Sequence, residues 1–370
     1  VAVNTLTCQF PINKLSYGIC GFNILKELNR DINCNLFQIG NIEFDYPEDQ
    51  VWLQRCINAQ KLPDFNSPTL KLFHQHTLGE RIGGKSGYYG FPIFELDKFD
   101  FKELEHLKVP DHLFVTSEWG KQVLVDNGIK SPITVIPLGI NEELIYLLRA
   151  AKAALNQPRK TLKFLSCGKW EVRKWHDQLY EAFDAAFETT DDVELSLMPH
   201  NFFLKEAEVK EWENLYKNSK MGQAGKVTII PRQNLHEEAV KIINYHDVYL
   251  GISRAEGWNL PLHEALALGK PTIITPYSAP TQYIPSADSL NLNVKIDGIE
   301  QAYDGKWFFG QGNWCKINFD SVVESMRAVY KRWKNGDSML NTEGIKVGEK
   351  YTWENTAKLI KRTIFNEISN

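Results

Sequence analysis

GISRAEGWNLPLHEALALGKPTIITP, residues 251–276, sets two carboxylates, Glu256 and Glu264, around the start of a predicted helix. Pro261 suits a first helical turn, and Leu262, Ala265, Leu266 and Leu268 repeat at helical spacing until Gly269 stops the run. Glu256 therefore falls on the loop that leads into the helix. The backbone N–H groups of Gly257, Trp258, Asn259 and Leu260 stand at the positive end of the helix dipole, an arrangement that favours an anion. Glu264 lies beside that anion rather than under it. Paired glutamates at this spacing are common on solvated helices, so the spacing alone decides nothing.

The flanks decide it. Asp247 to Ser253 reads as a buried strand and Pro271 to Thr275 as another, which makes a β-loop-α-β unit with Glu256 at a strand's C-terminal end. Ligands of open α/β sheets bind at such ends. The same alternation runs through the chain twice. The first set has strands at Val1 to Cys8, Asn35 to Gly40, Leu70 to His76, His112 to Ser117 and Ile133 to Gly139, with a loop from Lys14 to Gly21 and helices at Phe22 to Asn29 and Trp119 to Asn127. The second has strands at Leu162 to Gly168, Val193 to Pro199 and Val227 to Arg232, with helices at Asp177 to Phe187 and His236 to Tyr245. Between the sets, the alanine-rich, basic stretch Asn141 to Lys160 reads as a connection.

Composition sets wider bounds. A chain of 370 residues, 43% apolar and 12% aromatic, can bury two cores. A net charge of −4 and a pI near 6.2 give no overall attraction to nucleic acid or to an anionic membrane. The six cysteines, at 8, 20, 34, 56, 167 and 315, show no metal-finger spacing, and neither a leader-like nor a membrane-spanning run is legible. The expectation is a soluble, cytoplasmic protein. From Met326 onward nine Lys/Arg face five Asp/Glu, which reads as a solvated helical surface.

A second chemical signature is SCGKWEVRKWHD, where a strand runs into a Gly168 turn bearing Lys169, Arg173 and Lys174. Cations at a strand end can stabilise the charge that develops on a departing diphosphate. The plain alternative is a solvated charged turn. The strand ending at His76 would also present His74 on the same face; a buried histidine is more often a satisfied core residue. Asp191-Asp192 has the look of a metal-binding acidic pair, but it follows a helix in a polar turn and reads as a loop.

Taken together, Ser253, Glu256, Gly257, Leu260, Pro261, Glu264, Ala265, Gly269 and Pro271 resemble the donor motif of the retaining glycosyltransferases of family 4, a serine followed by E-G-(aromatic)-x-L-P-x-x-E-A-x-A-x-G-x-P. Lys169 and Lys174 match that family's G-(Arg/Lys)-x-x-x-x-K-G loop. Two glycines are replaced: Asn259, a residue tolerant of left-handed angles, and Trp175, which leaves the turn's backbone geometry open. The resemblance extends more weakly over the Leu15 to Gly21 loop and over Phe94–Phe99, Val115–Ile129 and Val135–Ile140.

The resemblance implies an α/β, GT-B architecture of two Rossmann-like parallel-sheet domains facing across a cleft. One domain would be residues 1–145 with a C-terminal helix from about 352 to 370, then a linker over 146–160 and a donor-binding domain over 161–351. It implies transfer of a hexose, mannose or glucose first, from a GDP- or UDP-sugar to a hydroxyl with retention of configuration and without a metal or other cofactor. Glu256, His76 and Lys174 would be catalytic. Lys169, Lys174 and the amides of Gly257, Trp258, Asn259 and Leu260 would hold the diphosphate, Glu264 the ribose, and Arg232 and Gln233 would border the base. Gly18, His74, His76 and Glu95 would serve the sugar or acceptor. That acceptor would be a glycan, a lipid-linked sugar or another hydroxyl; a nucleic-acid base fits the acidic pI less well. The alternatives are a sugar-nucleotide epimerase of the same architecture and a non-catalytic sugar-nucleotide binder.

Overall fold

The computed structural model describes residues 4–43, 47–155 and 159–366, and these form two units, residues 1–141 with 350–370, and 142–349. Val1 to Val3 of the first expected strand, 156–158 of the expected linker and 367–370 of the expected C-terminal helix lie outside the described residues.

In the first unit, β1 (Thr5–Phe10), α1 (Ser16–Leu28), β2 (Asn33–Gln38), α2 (Gln50–Ala59), β3 (Thr69–Leu72), β4 (Tyr88–Phe91), α3 (Phe101–Leu107), β5 (His112–Val115), α4 (Glu118–Asp126) and β6 (Ile133–Val135) follow one another. The six strands make one parallel sheet in the order β2-β1-β3-β4-β5-β6. The chain moves from β1 to β2 on one side and then returns to β3 on the other. The C-terminal ends of β1 and β3 therefore flank the point where the winding reverses, where parallel sheets open a crevice. Short buried runs such as Thr69–Leu72 suit a sheet covered on both faces.

The second unit contains α5 (Glu142–Leu155), β7 (Leu162–Gly168), α6 (His176–Ala186), β8 (Val193–Pro199), α7 (Glu206–Lys217), α8 (Lys220–Gln223), β9 (Val227–Ile229), α9 (His236–Tyr245), β10 (Val248–Gly251), α10 (Leu260–Ala267), β11 (Thr272–Ile274), β12 (Asn291–Asn293), β13 (Ile296–Tyr303), β14 (Phe309–Ile317), α11 (Phe319–Lys334) and α12 (Thr342–Lys350). The final helix, α13 (Trp353–Phe365), counts with the first unit. The second sheet is also parallel and six-stranded, ordered β12-β11-β10-β7-β8-β9. Its reversal falls between β7 and β10, whose partners are Phe164 with Val248 and Leu165 with Tyr249. Phe164, Leu195, Leu250 and Ile273 from four strands bury against Leu179, Phe183 and Val322 of the covering helices.

Several expectations are corrected. The first loop is already helical from Ser16, and the third strand stops at Leu72, so His74 and His76 are not strand residues. His74 precedes a short 3₁₀ turn, Gln75–Thr77, that contains His76. Residues 146–155, expected to connect the domains, belong to α5, whose Glu142 and Glu143 stabilise its first turn. The antiparallel pair β13-β14 has no counterpart in the sequence reading, because its glycines and mostly exposed polar faces carry no strand periodicity.

Candidate active site

The two signatures of the second unit meet at the reversal point of its sheet. β7 ends at Gly168, whose φ of 139° is closed to most residues and whose Cβ, if present, would come 3.0 Å from Cε of Lys174. The chain then passes Lys169 and Glu171, turns through Val172–Lys174, and reverses at Trp175 with φ 58° and ψ 20°. Trp175 is 1% exposed, so burial of its indole offsets the cost of a left-handed backbone. The family's glycine is replaced without loss of the turn it supplies.

On the adjacent strand β10 the chain continues through Ser253 to Glu256, and both oxygens of that carboxylate are occupied. Lys174 Nζ donates to Oε1, as do Ser253 Oγ at 2.7 Å and Asn259 Nδ2 at 3.3 Å. Arg173 Nη1 donates to Oε2 at 3.0 Å. Burial would raise the pKa of Glu256, but the charges of Lys174 and Arg173, with the hydrogen bonds from Lys174 and Ser253, outweigh it and hold the group at about 2. Arg173 also pairs through Nη2 with Glu171 at 2.9 Å, and Glu171 with Lys169 at 3.6 Å. A continuous line of alternating charge thus runs Lys169, Glu171, Arg173, Glu256, Lys174.

Asn259 takes the left-handed angles φ 77° and ψ 73° and caps α10, its Oδ1 accepting from Leu262 N at 3.3 Å. Asparagine thereby does what glycine does in the family and adds a cap. The loop is held from the far side: Tyr283 Oη donates to the carbonyls of Trp258 and Asn259 at 2.6 and 3.2 Å, and Glu256 N donates to Ser278 Oγ at 2.8 Å. With those carbonyls clamped, the backbone of Gly257 to Leu260 is fixed at the start of α10.

Arg254 joins three segments. It donates to Val172 O, makes a bidentate pair with Asp177 at 2.8 and 2.9 Å, and lies 5.6 Å from the ring centroid of Trp314 on β14. Its own carbonyl accepts from Cys315 N at 3.0 Å.

At the ends of β7 and β9, Lys169 and Arg232 lie beside aromatic rings. Lys169 lies 5.7 Å from the Phe203 centroid, Arg232 lies 4.3 Å from that of Phe202, and His200 packs on Phe202. Burial, then the charges of Arg232 and Lys169, push the His200 pKa down to about 4. Gln233 is turned onto its own loop, donating to Pro231 O at 2.7 Å. Glu264 sits one turn into α10 with Oε1 2.5 Å from His236 Nε2. Its Oε2 is buried with no hydrogen-bond partner among the described residues.

The predicted residues of the first unit cluster at that unit's own reversal point. Tyr17, in the first turn of α1, packs its ring against Phe73 and His74 at 5.5 and 4.7 Å, and His74 stacks on His76 at 5.3 Å. Tyr17 Oη donates to Ile93 O at 2.6 Å, and its pKa is raised by burial and also by the charge of Glu95. Buried Lys71 donates to the carbonyls of Thr77 and Glu80, both at 2.7 Å, pinning the turn that carries His76. Gly18 is explained by packing: a Cβ there would fall 2.3 Å from the Asn13 carbonyl oxygen.

Arg173, Tyr17, Tyr283, Arg254 and His236 were absent from the predicted site. Only Arg173 carried a sequence signal, its place in the lysine turn. Among the described residues no group of three or more His, Cys, Asp or Glu side chains is placed to hold a metal ion. Asp191 and Asp192 bond to Glu188 N and Lys334. All six cysteines are buried, and no described helix is long and apolar enough to cross a membrane.

Residues 149–292 match the family model for glycosyl transferases group 1. That match lies within the second unit and makes the chain a glycosyltransferase. No curated protein matches it in sequence. Among solved structures it is similar to sucrose-phosphate synthase from Thermosynechococcus elongatus, at 15% identity and TM-score 0.72 over 98% of both chains. It is also similar to Anabaena Alr3699/HepE in complex with UDP and glucose, at 11% identity and TM-score 0.70 over 99% of this chain and 100% of that one. A third is a trehalose-6-phosphate synthase studied for glycosyl transfer with retention, at 13% identity and TM-score 0.68 over 99% and 100%. At these identities the likeness is one of fold, and the fold is the two-unit α/β GT-B class.

Proposed function

We propose that this chain is a retaining, family 4-like glycosyltransferase that moves a hexose, glucose or mannose, from a UDP- or GDP-sugar to an acceptor hydroxyl. The observation that carries the reading is the shared grip of Lys174 and Arg173 on Glu256 at the reversal point of the donor-domain sheet. Anionic Glu256 holds two cations in place where a diphosphate's charge grows as the glycosidic bond breaks, and its oxygens can exchange a cation for a sugar hydroxyl when the donor enters. Lys174 and Lys169, with the amides at the start of α10, stabilise the leaving diphosphate. Arg232, Phe202 and Gln233 border the base, and Glu264 binds the ribose through Oε2. Gly18, His74, His76 and Glu95 are assigned to the sugar or acceptor side. UDP and glucose in the Anabaena protein, and retention in the trehalose-6-phosphate synthase work, support the donor class and the stereochemistry.

Four cations, Lys169, Arg173, Lys174 and Arg232, supply the positive charge that a divalent metal supplies elsewhere, so the reaction runs without one. The departing phosphate oxygen takes the acceptor proton on the same face of the sugar. The test is turnover of UDP-glucose and GDP-mannose in EDTA with a panel of glycan and lipid-linked acceptors. Nucleoside diphosphate should be released only with acceptor, and the new anomeric proton should report the donor's own configuration. Inverted product, a strict metal requirement, or epimerised donor without nucleoside diphosphate release would each defeat the proposal.

A further inference from the structure

His236 stands at the start of α9, and its Nε2 lies 2.5 Å from Oε1 of Glu264 on α10. Glu264 is 4% exposed, and its second oxygen has no hydrogen-bond partner among the described residues. A buried carboxylate with one oxygen satisfied and the other bare is costly, which points to an incoming donor for the bare one. A hydroxyl of a ribose diol is such a donor. The same carboxylate raises a difficulty, because it sets a negative charge beside a site meant for a diphosphate.

We propose that His236 is the positioning residue that resolves this: it anchors Glu264 through Oε1, cancels its charge, and leaves Oε2 to a ribose hydroxyl of a nucleoside diphosphate. The inference rests on reading Glu264 as the ribose-binding carboxylate. The neighbouring groups leave His236 to Glu264 alone. On its own helix, Glu238 accepts from Leu235 N and Glu237 pairs with Lys241. From α5, Lys152 is engaged at the far end of α9, on the carbonyls of Asn244 and His246. From α10, His263 is turned to Trp258. On the strands, Cys167 and Tyr249 feel the charge of Glu264, and burial keeps both protonated.

Burial and the positive end of its own helix oppose a charge on His236; the Glu264 carboxylate outweighs them and raises its pKa above the ordinary 6.5. The imidazolium therefore persists to higher pH than that of an ordinary histidine and is lost as pH rises through that raised value. Glu264 then faces the diphosphate uncompensated, and nucleotide affinity falls.

The test is calorimetric titration of UDP and GDP from pH 6 to 9 into wild type, His236→Gln and His236→Phe, with thermal unfolding to check that each is folded. Wild-type affinity should fall by up to about tenfold across the raised pKa, the scale of one uncompensated charge near a protein surface. His236→Gln keeps a hydrogen-bond donor without the charge. It should lose the wild-type pH step and sit at wild type's high-pH affinity, the comparison cancelling the titration of the nucleotide itself. His236→Phe should bind more weakly than His236→Gln at every pH. In turnover, both should raise KM for the donor and leave kcat nearly unchanged. By NMR the His236 ring should titrate above 6.5, and Glu264→Gln should lower that value. Nucleotide binding with the wild-type pH profile preserved in His236→Gln would overturn the inference while leaving the donor-site reading intact. Absence of nucleotide binding at every pH would remove both.

Discussion

Arg173 Nη1 lies 3.0 Å from Glu256 Oε2, while Lys174 takes the other oxygen of the same carboxylate. Both cations come from the turn after β7 and the carboxylate from the loop after β10. The contact therefore fastens together the two segments that the sequence marks as the donor site.

Removing Glu256 should cost the fold as well as the reaction. From sequence alone, Lys174→Ala and Glu256→Ala are expected nearly to abolish transfer while leaving the fold intact. The structure revises this, because the side chains of Glu256, Arg173 and Lys174 are only 8, 5 and 11% exposed. Stripping the anion from two buried cations should destabilise the second unit by about 3 kcal/mol or more. Urea unfolding of Glu256→Ala and Glu256→Gln measures this, and wild-type stability in both would show that the grip contributes nothing to folding.

Acid should unfold the protein from an unusually high pH. Burial pushes His176 and His263 down to about 3 and His246 to about 4, so the unfolded chain binds protons that the folded one refuses. Folded pKa values below the unfolded 6.5 mean that stability is full above 6.5 and is lost as pH falls towards 3. By pH 5 each contributes a loss of about 2 kcal/mol. Glu256, held at about 2, adds a further loss of the same sign below pH 4.5. His236 works the other way, its raised pKa adding stability that fades as pH rises through it. Urea midpoints should drop steeply between pH 7 and 5, and each of His176→Phe and His263→Phe should flatten that slope.

Asn259→Gly should be nearly neutral for stability, since glycine accepts φ 77° and replaces a capping asparagine at a cost of only a few tenths of a kcal/mol. Asn259→Leu should cost about 2 kcal/mol, from the left-handed backbone and the lost cap together. Trp175→Gly should also destabilise, by about 3 kcal/mol, because the cavity left by a buried indole outweighs the relieved backbone. Thermal unfolding of the three variants gives the order.

Gly168→Ala should leave the sheet intact and impair transfer. The added methyl would press on Cε and Cδ of Lys174 at 3.0 and 3.2 Å, at a backbone angle alanine resists. The flexible lysine gives way and loses its hold on Glu256. A fall in kcat of about tenfold or more, together with a lowered thermal midpoint from the strained backbone and the loosened ion pair, is the expected result.

Local pattern carried the parallel α/β class and the segments around β7, α9, β10 and α10, because strands buried on both faces and helices with apolar stripes write themselves into short windows. His236–Tyr245 is predicted and found with the same ends. What stayed hidden depends on contacts far apart in the chain. Tyr283 reaches Trp258 across 25 residues, Tyr17 reaches Ile93 across 76, and Arg254 reaches Asp177 across 77. No window of sequence contains both halves of such pairs. The third strand was overrun because Phe73, His74 and His76 continue its alternation, while buried Lys71 pulls the following turn away from the sheet.

Calorimetric titration of UDP and GDP in EDTA into wild type and Lys174→Met measures whether Lys174 and Glu256 form the donor site. One nucleotide should bind wild type without metal, and Lys174→Met, still folded, should bind it about a hundredfold more weakly. Equal affinity for that nucleotide in the two proteins would contradict that assignment.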